Sequence, residues 1–256
     1  MSLRTIGLSS NIKALYRYKL FAYSRSLTSL VIVQIVALIL SLNGTNHHGS
    51  FFGNVSISIY SYTANMVLAF TMLWMFSTAI SLTTKAFREA DLTLVANRFT
   101  SHLSNFLFLM TTSMLAGVSA IVSCGLRKWM AVYIFKISFI SSAQLPFSHL
   151  LLGLAAASLY MMLVSSAGFL TGMLAQWHKS FMFIIPAAVI ALLFIEWNWV
   201  EEDEFSSSAG SMPALIALFR WFGTENSFPI FTLKVLFAVL ICYGLSYLLA
   251  SRLEVK

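Results

Sequence analysis

Charged residues are scarce in this chain. Only 10% of its 256 residues are Asp, Glu, Lys or Arg, whereas 59% are hydrophobic. An ordinary soluble domain is about 25% charged and about 45–50% apolar. A chain this apolar cannot cover its surface with polar groups, so lipid must solvate much of it. The composition therefore indicates a single membrane domain over residues 1–256 and excludes a soluble enzyme.

Motifs for nucleotide and metal chemistry are also missing. The only lysine followed by Ser or Thr is Lys179, and no glycine pattern precedes it, so the phosphate-cradling loop G-x-x-x-x-G-K-[ST] is absent. The five histidines include no H-E-x-x-H pair, which a membrane metalloprotease would need. We therefore expect no catalytic residue, no cofactor and no metal in this chain. The sequence singles out no substrate-binding residues.

Ionisable residues are nearly missing from the long apolar runs as well. Such residues usually mark ion or proton pathways, and their scarcity therefore argues against an ion-coupled transporter.

The two cysteines, Cys124 and Cys242, lie within apolar runs and are expected to be buried free thiols. The first apolar run follows a polar, basic stretch and lacks a small-residue cleavage site, so it is expected to remain as an anchor.

Six apolar stretches predict six membrane spans, because a span needs about 20 mostly apolar residues. Their limits are 27–42, 57–82, 103–124, 147–174, 181–195 and 230–250. With six spans both termini lie on one side, and most of the 16 Lys and Arg residues fall on that side. The positive-inside rule then predicts cytoplasmic termini, with Arg127 and Lys128 as the discordant pair. We expect the membrane to be a bacterial cell membrane.

The net charge of +7 has a membrane explanation too. Basic residues close to span ends serve topology and contact anionic lipid headgroups. We therefore expect membrane lipid, and no nucleic acid, as the partner of these charges.

Two connecting segments outside the spans have amphipathic patterns. Residues 1–25 are expected to form a cytoplasmic segment with an amphipathic helix at the membrane interface, although Lys19 does not fit its polar face. A basic tail without fixed structure is the alternative. Residues 200–229 are predicted to be external, with a short re-entrant helix that starts at Pro213 and ends at Gly223.

Residues 83–102 are predicted to join the second and third spans in the cytoplasm. Leu92, Val95 and Phe99 recur at helical spacing and form a narrow apolar stripe. The charged residues around the stripe are Arg88, Glu89, Asp91 and Arg98. A helix that leaves the bundle with such a stripe needs a cover, which could be lipid, the protein itself or the groove of a soluble partner.

A small-residue motif occurs in the fourth span. Gly168 and Gly172 have the G-x-x-x-G spacing, which allows two helix backbones to approach closely. Packing within one bundle is the favoured interpretation, and an interface between subunits is the alternative.

The order of these parts resembles the transmembrane subunit of a type-2 ABC transporter, of the exporter permease class. The resemblance extends over the whole chain and is most specific between Arg88 and Phe99, where the pattern is similar to the family's coupling helix. This chain departs from the family pattern at Ala96-Asn97, where a proline often precedes the basic pair.

The resemblance implies an all-α fold: a six-transmembrane-helix bundle with an N-terminal amphipathic interfacial helix, a cytoplasmic coupling helix and a short external re-entrant segment. It also implies a second permease copy or a homologous permease, and a separate soluble ABC ATPase that binds ATP and Mg. The contact with that ATPase is then made by the coupling residues, which are Arg88, Glu89, Asp91, Leu92, Val95, Arg98 and Phe99.

The implied cargo is hydrophobic or amphipathic: a peptide, an antibiotic or a lipid-like molecule. Two other classes stay open. One is a non-transporting membrane assembly or immunity protein, and the other is a membrane enzyme whose site the sequence does not reveal.

Overall fold

The computed structural model describes residues 8–42, 46–52, 55–61, 65–85, 87, 97–133, 147–177, 180–181 and 227–253. Within these ranges it has six long helices and one β-hairpin. The helices are α1 (Leu8–Ala22), α2 (Ser24–Leu42), α3 (Asn65–Thr83), α4 (Arg98–Tyr133), α5 (Phe147–Trp177) and α6 (Phe228–Leu253). The strands are β1 (Asn46–Phe52) and β2 (Val55–Ser61).

Four of the described helices are long and apolar enough to cross a membrane. The stretches are Met66–Thr83, Phe99–Met130, Phe147–Gln176 and Phe228–Ala250. Helices α1 and α2 meet the same criterion only as a pair, bent by 46°. The expectation of an all-α, multi-pass membrane protein is thus confirmed in this coarse form. The predicted span 181–195, apart from residue 181, and nearly all of the segment 200–229 lie outside the described residues.

The beginning of the predicted second span was wrong. The apolar run was placed at 57–82, but α3 starts at Asn65, and Val55–Ser61 is a strand instead. This strand pairs with β1 in an antiparallel hairpin whose register runs from Phe52↔Val55 to Asn46↔Ser61. Its sequence, VSISIYS, alternates apolar and polar residues, which is the period of a strand. A hydropathy window averages over that alternation and therefore missed it.

Helix α5 packs against α3, α4 and α6, and α4 packs against α1, α2, α3 and α5. The core cluster between these helices contains Met75, Leu109, Met161, Phe169 and Val235. On the outside, large apolar side chains remain uncovered, such as Leu233 and Phe237 of α6 at 70% and 65% exposure. Such an outer surface is typical of a protein whose solvent is lipid.

The small-residue motif of α5 is used for packing within the chain. A Cβ atom placed at Gly168 would lie 2.8 Å from the carbonyl oxygen of Phe76 in α3. A Cβ atom at Gly172 would overlap the side chain of Thr83, also in α3. Both glycines therefore allow α5 and α3 to approach closely, as the favoured interpretation of the motif predicted.

Candidate functional site

The predicted coupling residues are divided between described and undescribed parts of the chain. Arg88, Glu89, Asp91, Leu92 and Val95 lie outside the described residues. Arg98 is the first residue of α4, and Phe99 follows it in the first turn with 46% of its surface exposed. Helix α4 therefore begins ahead of the predicted start of the third span at 103, so Arg98 and Phe99 are continuous with that span.

We call the end of the bundle where α3 ends and α4 begins the base. Ring contacts hold the chain at the base on both sides of the undescribed coupling residues. Before them, the ring of Phe87 lies 5.0 Å from that of Tyr23, at the break between α1 and α2. After them, the ring of Phe99 meets that of Tyr247 in α6 edge-on, at 6.3 Å. The two ends of the segment are thus attached to different helices.

The contact with Tyr247 continues into an aromatic cluster. One turn after Phe99, the imidazole of His102 lies 5.5 Å from the ring of Tyr247 and 5.2 Å from that of Phe169 in α5. Phe169 in turn packs against Tyr243 at 5.5 Å. Because cores are close-packed, a displacement of the first turns of α4 would be passed on to both α5 and α6.

A buried lysine joins α1 to α4 at the base. Lys19 is 1% exposed, and its Nζ donates hydrogen bonds to Ser104 Oγ at 3.0 Å and to Asn105 Oδ1 at 2.5 Å. Lysine is almost never buried this completely unless polar groups receive its charge. Sequence reasoning noticed only that Lys19 did not fit the polar face of its helix. The structure gives the reason, which is that this residue faces α4.

A second polar group lies deeper in the bundle, among α2, α3 and α4. The amide Nε2 of Gln34 donates to Ser119 Oγ at 2.9 Å and to Thr71 Oγ1 at 3.3 Å. The hydroxyl of Ser123 donates to Gln34 Oε1 at 3.4 Å. Both ends of this buried amide are therefore satisfied, which is what burial of a polar side chain requires.

The discordant Arg127 has a structural role. It is 4% exposed, and its Nη2 donates to the carbonyl oxygen of Ser41 at 3.0 Å, near the C-terminal end of α2. The last carbonyls of a helix lack intrahelical partners and carry partial negative charge, so a cation is favourable there. Arg127 therefore helps to cap the C-terminal end of α2, and this role does not depend on the side of the membrane on which it lies.

A cavity of about 280 Å³ opens at the base, between the α1–α2 break, α3 and α4. The described residues of its lining contribute hydroxyl side chains and aromatic rings, and none of them is charged. The lining residues are Tyr23, Ser26, Ser29, Trp74, Ser77, Thr78, Ser81, Leu82, Phe87 and Phe108. Sequence reasoning missed this site because its walls come from separate parts of the chain.

Known proteins supply no template for this arrangement. Comparison of the chain with known families, characterised proteins and solved structures gave no match. Over the part of the chain that the structure describes, no group of three or more His, Cys, Asp or Glu residues could hold a metal ion. The function must therefore be inferred from the contacts at the base.

Proposed function

We propose that this chain is the permease subunit of an ATP-driven exporter of the type-2 ABC class. In this proposal it forms a six-span bundle in a bacterial cell membrane, with both termini cytoplasmic and an external re-entrant segment at 200–229. It pairs with a second permease copy or a homologous permease. A separate soluble ATPase binds ATP and Mg, and the cargo is hydrophobic or amphipathic.

The attachment of the segment between Phe87 and Phe99 supports this proposal most directly. An ATPase that binds Leu92 and Val95 would displace both ends of this segment when it closes on nucleotide. The Phe87–Tyr23 contact would carry that motion to the α1–α2 break, and the Phe99–Tyr247 contact would carry it to α6. Coupling requires such a physical connection to an element with two arrangements.

The test of the coupling role is a charge on the apolar stripe. Burying a side chain such as Leu92 is worth about 1.5–3 kcal/mol, so Leu92→Asp should weaken ATPase binding by roughly tenfold or more. The measurement is the amount of ATPase retained when the permease is purified in mild detergent, together with the melting temperature of the isolated permease. Thr93→Asp, next to Leu92 but off the stripe, is the matched control and should retain the ATPase.

The alternatives give different outcomes in the same experiment. If the stripe packs on its own bundle, Leu92→Asp will lower the melting temperature while the ATPase stays bound, and the coupling role is refuted. If the unmodified chain purifies without any ATPase, a non-transporting assembly or immunity protein becomes the better assignment.

The proposed orientation is tested by labelling single cysteines, after Cys124 and Cys242 have been replaced by alanine. Thr84 is exposed at the base, and Ser207 lies in the segment proposed to be external. In sealed cells, a membrane-impermeant maleimide should modify Ser207→Cys and leave Thr84→Cys unmodified until the cells are opened. Modification of Thr84→Cys in sealed cells would overturn the cytoplasmic placement of the base.

A further inference from the structure

We propose that the cavity at the base binds the polar end of an uncharged amphiphile, one that offers hydroxyl or carbonyl groups. The apolar body of this ligand would remain outside, in the membrane. The site is independent of the proposed permease function, because the cavity lies within a single chain and its occupancy can be measured without an ATPase.

The charge of the ligand follows from the lining. None of the ten lining residues that the structure describes carries a charge. A phosphate or ammonium group that entered would lose its water without gaining a counter-ion from these residues, which is unfavourable. The desolvation cost is much smaller for an uncharged polar group, because hydroxyl side chains can replace its hydrogen bonds to water.

The serine and threonine hydroxyls of the lining divide into two sets. Ser29 Oγ accepts from Trp74 Nε1 at 2.8 Å and donates to the carbonyl oxygen of Ser26, and Ser81 donates to that of Ser77. The hydroxyls of Ser26, Ser77 and Thr78 make no hydrogen bond with other described residues. These three groups are therefore free to donate to, and accept from, a ligand.

The size of the cavity restricts how much of a ligand can enter. A space of about 280 Å³ holds roughly nine water molecules at ~30 Å³ each, which is enough for a glycerol-sized group. At about 280 Å³ the cavity lies at the lower end of the range of about 300–1,000 Å³ that is usual for pockets of drug-sized molecules. Its size therefore suits the end of a larger amphiphile.

The position of the cavity suits such a ligand. Its α3 lining residues lie in the last turns before Thr83, and its α2 residues lie in the first turns after Ser24. The α3 residues therefore lie near the end of a membrane-length helix, where headgroups meet acyl chains. The lining runs from exposed Ser77 to Trp74 and Phe108, which are 7% and 2% exposed, so the cavity connects the surface with the core.

The test uses a dioleoylglycerol analogue with a photoreactive diazirine near its headgroup, in vesicles that contain the full chain. Labelling should be saturable and should map to the peptides around Ser26 and Thr78. A phosphatidylglycerol analogue with the same diazirine should label these peptides at least fivefold less, because its headgroup is charged.

Two variants with a matched control separate recognition from folding. The double variant Ser77→Ala, Thr78→Val removes two free hydroxyls with little change of volume and should reduce labelling at least fivefold. Thr111→Val is the control, since its hydroxyl bonds to the carbonyl of Phe108 within its own helix and does not line the cavity. Equal labelling in the double variant, non-saturable labelling, or equal labelling by the charged analogue would overturn the proposal.

Competition shows from which side the ligand arrives. Unlabelled dioleoylglycerol reaches the site only through the membrane, whereas 1-butyrylglycerol is soluble in water. If only dioleoylglycerol suppresses labelling, the site takes a membrane lipid. If both suppress it, the polar end alone is recognised and can also enter from water. Suppression by neither competitor would show that the labelling is unspecific and would refute the site.

Discussion

Replacing Gly172 with leucine is expected to destabilise the protein more than any other single change considered for the bundle. Its Cβ would overlap the side chain of Thr83, which is 3% exposed and cannot move outward. The amide of Gln176, one turn further along α5, also donates to the carbonyl oxygen of Thr83. Separating α5 from α3 would break that bond. Overpacking of this kind costs about 3 kcal/mol at the upper end of its usual range, or roughly 6–12 °C in melting temperature.

The matched control for this prediction lies in the same helix. A Cβ atom at Gly153 would meet nothing within 4 Å, and the residue is exposed, so Gly153→Leu should leave the melting temperature nearly unchanged. Both variants insert the same side chain into α5, so helix propensity and hydrophobicity cancel in the comparison. Equal melting temperatures for the two variants would show that α5 and α3 do not approach as closely as the structure indicates.

Truncation of Lys19 is expected to release α1 from the bundle. Lys19→Ala removes the donor that Ser104 and Asn105 share and leaves Oδ1 of Asn105 buried without it, at a cost of about 1–3 kcal/mol. The expected readouts are a lower melting temperature and faster protease cleavage within α1. Lys13→Ala is the control, because Lys13 lies on the same helix and is exposed.

A triple variant tests the physical reason for this effect. Lys19→Met combined with Ser104→Ala and Asn105→Leu removes the lysine and these two hydrogen-bond partners together. Replacing a satisfied polar group by packed apolar side chains is often neutral, so this variant should regain most of the lost stability. If it is as unstable as Lys19→Ala, the effect comes from lost volume and not from unsatisfied polar atoms. Equal cleavage of the Lys13→Ala and Lys19→Ala variants would contradict the anchoring role altogether.

The success of sequence reasoning differed between long and short elements. The apolar runs at 103–124, 147–174 and 230–250 each lie inside one described helix, because an uninterrupted apolar run of this length has few folded alternatives to a helix. The hairpin that ends at Ser61 was missed although its alternation is visible in the sequence. In this segment the alternation of apolar and polar residues predicts a strand, whereas the average hydropathy predicts a membrane span. The alternation gave the correct result.

Side-chain partners were beyond the reach of the sequence. Lys19 was recognised as a residue that does not fit the polar face of its helix, yet its partner Asn105 lies 86 positions further along the chain. The glycine motif of α5 predicted a close approach, but not that α3 would be the neighbouring helix. Contacts at such separations depend on which helix faces are turned toward each other, and the pattern of one helix does not specify the orientation of another.

The sequence by itself determined that this chain is a helical membrane protein, because a chain with 59% hydrophobic and 10% charged residues can satisfy its backbone in lipid only through helices or closed barrels, and its apolar runs have the length of helices. Tertiary structure alone decided what lies at the base. There it brings Phe87 to Tyr23 and Phe99 to Tyr247, buries Lys19 against α4, and assembles a cavity lined by hydroxyl groups and aromatic rings from α2, α3 and α4. The reason is that each of these features joins residues from different helices, and only the packing of the helices places them together.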